Sequence, residues 1–218
     1  MKIVPAILAD NAEDFLMRLR QAEAFSDYVQ IDLMDGSFVP SRSFPAETLS
    51  STTTSIDFEV HLMVSDPQTL MERIDNKHLK KVIFHFESRV KHLDFINQMK
   101  KRGIAAGMAI KPETKTGEFR EVAEKVDTLL FLTVDPGRYG SSFKPEVLRK
   151  IEEARRIFNN KTIAADGGVS LKNLKLFLDL GVDYVCIGSK IFLEGIPEEN
   201  YRDFVETLAQ LESREVLK

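Results

Sequence analysis

Five side chains stand where apolar runs give way to loops: Asp32, His61, His85, Asp135 and Asp166. Carboxylates and imidazoles are the groups that move protons near neutral pH and that hold divalent metal ions. Each alone has a plainer role. An aspartate after a strand caps a helix or shapes a turn, and a lone histidine serves as a hydrogen-bonded structural residue. Their coincidence is the signal. Asp32, His61 and Asp166 close the second, third and seventh apolar runs, so one cavity can collect two acids and an imidazole from distant segments. The stretch VQIDLMDG, Val29 to Gly36, poses the question most sharply. A carboxylate is costly to bury, yet Asp32 ends an apolar strand. Gln30, two residues earlier, points to the same side.

A second signal concerns anions. VDPGRYGSSF follows the sixth apolar run, DGGVS the seventh and IGSK the eighth. Glycine lets backbone N–H groups approach an anion closely. Each loop alone is an ordinary turn; three in this order make a phosphate cradle. Arg138 either adds a charge to it or stands in solvent.

The elements that must position these groups are legible as eight short runs. They are KIVPAIL, YVQIDLM, FEVHLM, KVIFHF, GIAAGMAI, TLLFLTV, TIAAD and DYVCIG. They are continuously apolar, as parallel strands covered on both faces are. Helical patterns lie between them. Asn11 caps the first, with Asp14 at its third position and Phe15, Leu16, Leu19 and Ala22 as its stripe. Asp66-Pro67 opens another. Val90, Leu93, Ile96 and Met99 repeat the period, and Gly103 ends it. Phe119 and Val122 mark a shorter helix, Val147, Ile151, Ala154 and Phe158 the next. Ser170 caps a helix carrying Leu171, Leu174 and Phe177, with Gly181 as its stop. Phe204, Leu208 and Leu211 belong to the last. FPAETLSSTTTS is the weakest helix signal. Eight alternating units predict a (β/α)₈ TIM barrel, residues 1–218 forming one domain; an open doubly wound sheet is the rival. In the barrel, functional groups gather at the C-terminal strand ends.

Composition narrows the function. The chain has 218 residues, 43% of them hydrophobic and 29% charged, with a net charge of −4. That surface gives no reason to expect nucleic acid or an anionic membrane as partner. The single cysteine, Cys186, sits in an apolar run and reads as a small buried residue of a reducing, cytoplasmic protein. The N-terminus carries no signal-peptide pattern, and no apolar run approaches ~20 residues.

PAIL, IDLMDGSFVP, EVHLMV, HFES, VDPGRYGSSF, DGGV and IGSKIF, in this order from Pro5 to Phe192, resemble the ribulose-phosphate 3-epimerase family. The resemblance implies a TIM barrel that interconverts ribulose 5-phosphate and xylulose 5-phosphate. It implies Asp32 and Asp166 as the two acid/base carboxylates, working on opposite faces of a planar ene-diolate. It implies a divalent metal (zinc, manganese or iron) on Asp32, His61 and Asp166, and no organic cofactor. Met34 and Met63 match methionines near the substrate. Gly137, Arg138, Tyr139, Gly140, Gly167, Gly168, Gly188 and Ser189 match the phosphate site. His85 and Glu87 match a family HxE of unassigned role. A homo-oligomer is implied as well.

The departures lie around the same site. Gln30 takes the position of a fourth, histidine, ligand. Ala6 replaces a substrate-contacting serine, Leu132 a methionine, Lys111 an asparagine, and Tyr139 crowds the phosphate loop. Gln30 then has three readings: a weaker metal site with three protein ligands and water, an amide donor to substrate in a metal-free site, or a satisfied polar residue of an inactive one. Other functions stay open. They are epimerisation of a hexulose phosphate such as allulose 6-phosphate, a silent sugar-phosphate binder, and a Schiff-base aldolase using Lys111.

Overall fold

The computed structural model describes residues 1–216, without the side chains of the last two. Eight parallel strands close on themselves in sequence order. They are β1 (Lys2–Leu8), β2 (Tyr28–Met34), β3 (Asp57–Met63), β4 (Leu79–His85), β5 (Ala105–Ile110), β6 (Thr128–Leu132), β7 (Thr162–Asp166) and β8 (Tyr184–Ile187). Among the described residues the helices are α1 (Ala12–Ala22), α2 (Glu47–Ser51), α3 (Pro67–Met71), α4 (His92–Lys101), α5 (Thr116–Ala123), α6 (Val147–Ile157), α7 (Leu174–Asp179), α8 (Ser189–Phe192) and α9 (Pro197–Val216). The fold is the TIM barrel read from the apolar runs. No helix among the described residues is long and apolar enough to cross a membrane.

Two main cores hold it together, beside a small cluster of Met34, Val39 and Met63. The larger lies between strands and helices, where Phe15, Phe95, Phe119, Ile151 and Phe177 pack on outward-facing strand residues. The smaller fills the barrel: Val4, Ala6, Ile83, Ala109, Leu130, Ala164 and Cys186. Gly107 on β5 sits in a tight space, since a Cβ there would stand 3.0 Å from Ile83 Cγ1. Beneath the interior core lies a polar layer. Fully buried Glu59 takes Lys81 Nζ at 2.9 Å and the hydroxyls of Tyr28 and Tyr184 at 3.2 and 3.1 Å. A buried carboxylate persists when it is paired and its lone pairs are filled.

Of the caps read from sequence, those of Asn11 and Asp66 form, while Ser170 does not cap α7. Asp14 N–H donates to Asn11 Oδ1 at 2.9 Å and Thr69 N–H to Asp66 Oδ1 at 3.1 Å. Gly103 and Gly181 adopt φ of 72° and 67° after their helices. Three details differ. Leu16 and Leu93 are 39% and 51% exposed, because α1 buries Phe15, Leu19 and Ala22, and α4 buries Phe95, Ile96 and Met99. The helix expected from Leu171 begins at Leu174, and Leu171 is exposed. There Asn173 Oδ1 accepts the Ser170 N–H at 2.8 Å while Asn173 Nδ2 donates to Gly168 O, holding Ser170–Asn173 in a turn. The weak second helix is present with five residues.

Candidate active site

Parallel pairing sets the height of each functional group. Leu8 pairs with Asp32, Asp32 with His61, and Leu132 with Asp166, at the C-terminal ends of the strands. Side chains alternate along a strand, so Tyr28, Gln30 and Asp32 rise on one interior face of β2, and Glu59 and His61 on that of β3. Above them opens a cavity of about 490 Å³ lined by Asp32, His61 and Asp166.

The two carboxylates share two donors. Gln30 Nε2 donates to Asp32 Oδ1 at 3.0 Å and to Asp166 Oδ2 at 2.9 Å. His61 Nδ1 lies 3.0 Å from Asp32 Oδ1 and 3.4 Å from Asp166 Oδ2. Cys186 Sγ donates to Gln30 Oε1 at 3.1 Å, which fixes the amide. The reverse orientation would set the amide oxygen against two carboxylates, an arrangement with no donor. Burial makes Asp32 less acidic than an ordinary carboxylate; the His61 hydrogen bond opposes this and the Asp166 charge reinforces it. Burial also opposes a charge on His61, but its hydrogen bonds to Asp166 and Asp32 outweigh burial and hold its proton well above the usual imidazole range.

Behind His61 runs a relay. His61 Nε2 is 3.0 Å from His85 Nε2, and His85 Nδ1 is 3.2 Å from Glu87 Oε2. Glu87 Oε1 accepts the Lys111 N–H at 3.1 Å and the Thr114 hydroxyl at 2.5 Å. Phe38 packs on His85 at 4.6 Å between ring centres, and the Lys111 ammonium lies over the Phe38 ring, 4.0 Å from its centre. The sequence motif HxE thus becomes a hydrogen-bonded support for His61.

The second acid of VQIDLMDG has a different task. Asp35 Oδ1 accepts the N–H groups of Ser37 and Phe38, both at 2.8 Å, and Oδ2 that of Ser65 at 2.7 Å. Asp35 shapes the loop, while Asp32 faces the cavity. Asp135 is also outside the site, exposed and ion-paired with Lys144 at 2.5 Å.

The glycine loops meet on the far side of the cavity. Gly137, Arg138, Tyr139, Gly140, Gly167, Gly168, Gly188 and Ser189 all line it, as does Met63. Gly167 has φ of 97°, and a Cβ there would stand 2.3 Å from Val134 Cγ2. The close approach of strand ends therefore excludes any side chain. Gln30 and Met34 are not among the lining residues; Met34 packs with Val39 and Met63. Sequence reading did not single out Lys190, Ser141 or Phe143, which also line the cavity. The Lys-after-Ser of IGSK was the available signal for Lys190. Lys111 is not among the lining residues.

Asp32, His61 and Asp166 each present a ligand atom within 4.8 Å of the other two. Two carboxylate oxygens and an imidazole nitrogen fit a divalent cation of the zinc, manganese or iron kind. Gln30 meets the same group through N–H, a donor.

Comparison with known proteins places the chain in a family. The model of the ribulose-phosphate 3 epimerase family matches residues 2–192. The ribulose-phosphate 3-epimerase of Schizosaccharomyces pombe is 31% identical over 204 residues, 91% of this chain and 90% of its own. That of Treponema pallidum is 31% identical over 197 residues, 87% of this chain and 90% of its own. Among solved structures, 3-hexulose-6-phosphate synthase from Salmonella typhimurium superposes with a TM-score of 0.71. It covers 97% of this chain and 100% of its own at 16% identity, a likeness of fold alone. With two acids at the mouth of a closed barrel and family motifs along nearly its whole length, the chain belongs to the ribulose-phosphate 3-epimerase family, a family of isomerases.

Proposed function

We propose that the protein inverts C3 of a phosphorylated ketose, ribulose 5-phosphate, through an ene-diolate, with Asp32 and Asp166 as its two acid/base groups. The observation that carries this reading is the pair of shared donors. Gln30 Nε2 and His61 Nδ1 each reach both carboxylates, at 2.9 to 3.4 Å, so the acids stand across a common space rather than bonded to each other.

One carboxylate takes the proton from C3, and the C–H electron pair passes into the adjacent carbonyl, leaving a planar carbon. The other, carrying a proton, returns one to the opposite face. Gln30 spends both N–H groups on the acids and sets their spacing. His61, protonated between them, supplies the positive charge that the growing negative charge on the substrate oxygens requires. The glycine amides around Gly137, Gly167 and Gly188 hold the phosphate.

Asp32, His61 and Asp166 are the residues that would hold a divalent ion. When bound it supplies a Lewis acid for the ene-diolate oxygens.

The test is epimerisation of ribulose 5-phosphate in deuterated water, with and without added zinc, manganese or iron. Deuterium at C3 of the xylulose 5-phosphate formed is the expected result. Sugar-phosphate binding without exchange under every metal condition would leave a silent binder and reject the enzyme.

A further inference from the structure

Tyr139 belongs to the glycine loop after β6, yet its hydroxyl lies on β1. It donates to Ala6 O at 3.1 Å and accepts the Leu8 N–H at 2.8 Å. Pairing of β1 with β8 runs from Lys2–Tyr184 to Pro5–Ile187 and then stops, because β8 ends. The other edge of β1 is taken by β2, as far as Leu8 and Asp32. Ala6 C=O and Leu8 N–H therefore face the gap that β8 leaves, and one hydroxyl fills both. Unpaired backbone groups next to a cavity would otherwise need water.

The ring is clamped as well. A Cβ on Gly188 would stand 2.4 Å from Tyr139 Cε1, so the ring lies directly on that backbone. Arg18 sits over its face, with Cζ 5.4 Å from the ring centre, and also donates from Nη1 to Leu8 O. Burial pushes the phenol up to about 12, so the hydroxyl keeps its proton and its donor. The ring lines the cavity beside Ala6, Leu8 and Asp32. One side chain thus ties the loop of Gly137 and Gly140 to the strand next to the one that carries Asp32.

We infer that Tyr139 is a positioning residue that sets substrate length: by latching the glycine loop to β1 and filling the space over Gly188, it fixes the span between phosphate cradle and carboxylates to that of a pentulose phosphate. The inference rests on the epimerase reading of the same site. A hexulose phosphate places one more carbon between C3 and the phosphate. A cradle free to shift would accept both lengths. A cradle bolted to β1, with an aromatic ring against its wall, holds one span, and on the epimerase reading that span is the pentulose's.

The experiment compares wild type, Tyr139→Phe and Tyr139→Gly, each confirmed folded by circular dichroism. Substrates are ribulose 5-phosphate and allulose 6-phosphate, and inorganic phosphate binding is followed by calorimetry. Tyr139→Phe keeps the ring and loses the latch. KM for the pentulose and Kd for phosphate are expected to rise together by roughly tenfold, with kcat within about threefold, since uniform binding is lost and chemistry is untouched. Tyr139→Gly removes the ring too, and the pentulose-to-hexulose ratio of kcat/KM is expected to fall at least tenfold. An unchanged phosphate Kd in Tyr139→Phe overturns the latch, and an unchanged ratio in Tyr139→Gly overturns the length filter. If wild type turns over neither sugar, the epimerase reading fails, while the phosphate measurement still decides the latch.

Discussion

His61 Nε2 and His85 Nε2 face each other at 3.0 Å, and one proton lies between them. Burial presses the His85 imidazole down to about 4, against the pull of Glu87, so His85 is neutral and accepts. His61 is the donor. With both nitrogens protonated, its Nδ1–H points at the two carboxylates, and the ring is oriented from behind by a histidine and a glutamate that never touch the cavity.

Replacing His85 by Phe leaves the His61 N–H buried and without an acceptor. A loss of ~1–3 kcal/mol in folding stability is expected from that orphaned donor. Loss of orientation is expected to lower kcat by roughly 10–100-fold. His85→Gln restores an acceptor and should recover part of both. Urea unfolding and steady-state kinetics read the two effects; equal kcat in wild type and His85→Phe rejects the relay.

Glu87 gives the pH prediction. Burial raises its carboxyl, but the hydrogen bonds from His85 and Thr114 win and hold it down to about 2. The folded value lies below the unfolded one, so its stabilisation is complete above pH ~4.5 and is lost as pH falls toward 2. Water reaches 21% of the side chain, and with that screening the contribution at neutral pH is about 2 kcal/mol. Glu87→Gln should therefore be less stable than wild type at pH 7, and the difference should shrink steadily below pH 4.5. A difference that stays constant with acidification would show that the carboxylate charge is not what stabilises.

Asp32→Asn and Asp166→Asn each remove one of the two groups that take and return the proton. Epimerisation should fall by at least ~10³-fold in both, within the range a positioned acid or base contributes and beyond. Phosphate binding, held by glycine amides across the cavity, should stay within about tenfold. Near-normal turnover in either variant would reject the two-acid assignment.

Gln30→His exchanges the amide that bridges the acids for an imidazole, a far better zinc ligand. Zinc content of the purified variant, by elemental analysis, should rise at least tenfold over wild type at equal free zinc. Equal content would show that position 30 cannot complete a metal site with Asp32, His61 and Asp166. Wild-type activity that is unaffected by chelation would independently favour the amide as a working part of the site.

The strands and most helices were legible because their signals are local. Continuous apolar runs, Asn11 and Asp66 as caps, and Gly103 and Gly181 as stops act within a few residues of themselves. The family motifs carried Asp32, His61 and Asp166 as well, since those types at strand ends have few other uses in combination. Even local reading slipped where a stripe had an ambiguous edge, as at Leu16 and Leu93, or where a side chain competed with the helix, as at Asn173.

Tertiary structure decided the rest, because closing a barrel pairs residues that sequence keeps far apart. Gln30 reaches Asp166 across 136 positions, and Tyr139 reaches Ala6 across 133. The amide at position 30 has the same spelling whether it ligates, donates or merely fills space. Its direction follows from the Cys186 thiol on one side and two carboxylates on the other, contacts fixed only when β8, β2 and β7 share one interior. Likewise Asp32 and Asp35 are both acids of one short motif; strand alternation turns one to the cavity, and the turn at Gly36 gives the other two backbone N–H groups while Ser65, from the next strand's loop, gives a third. Residue type set what chemistry was possible, and strand register set which residues meet to perform it.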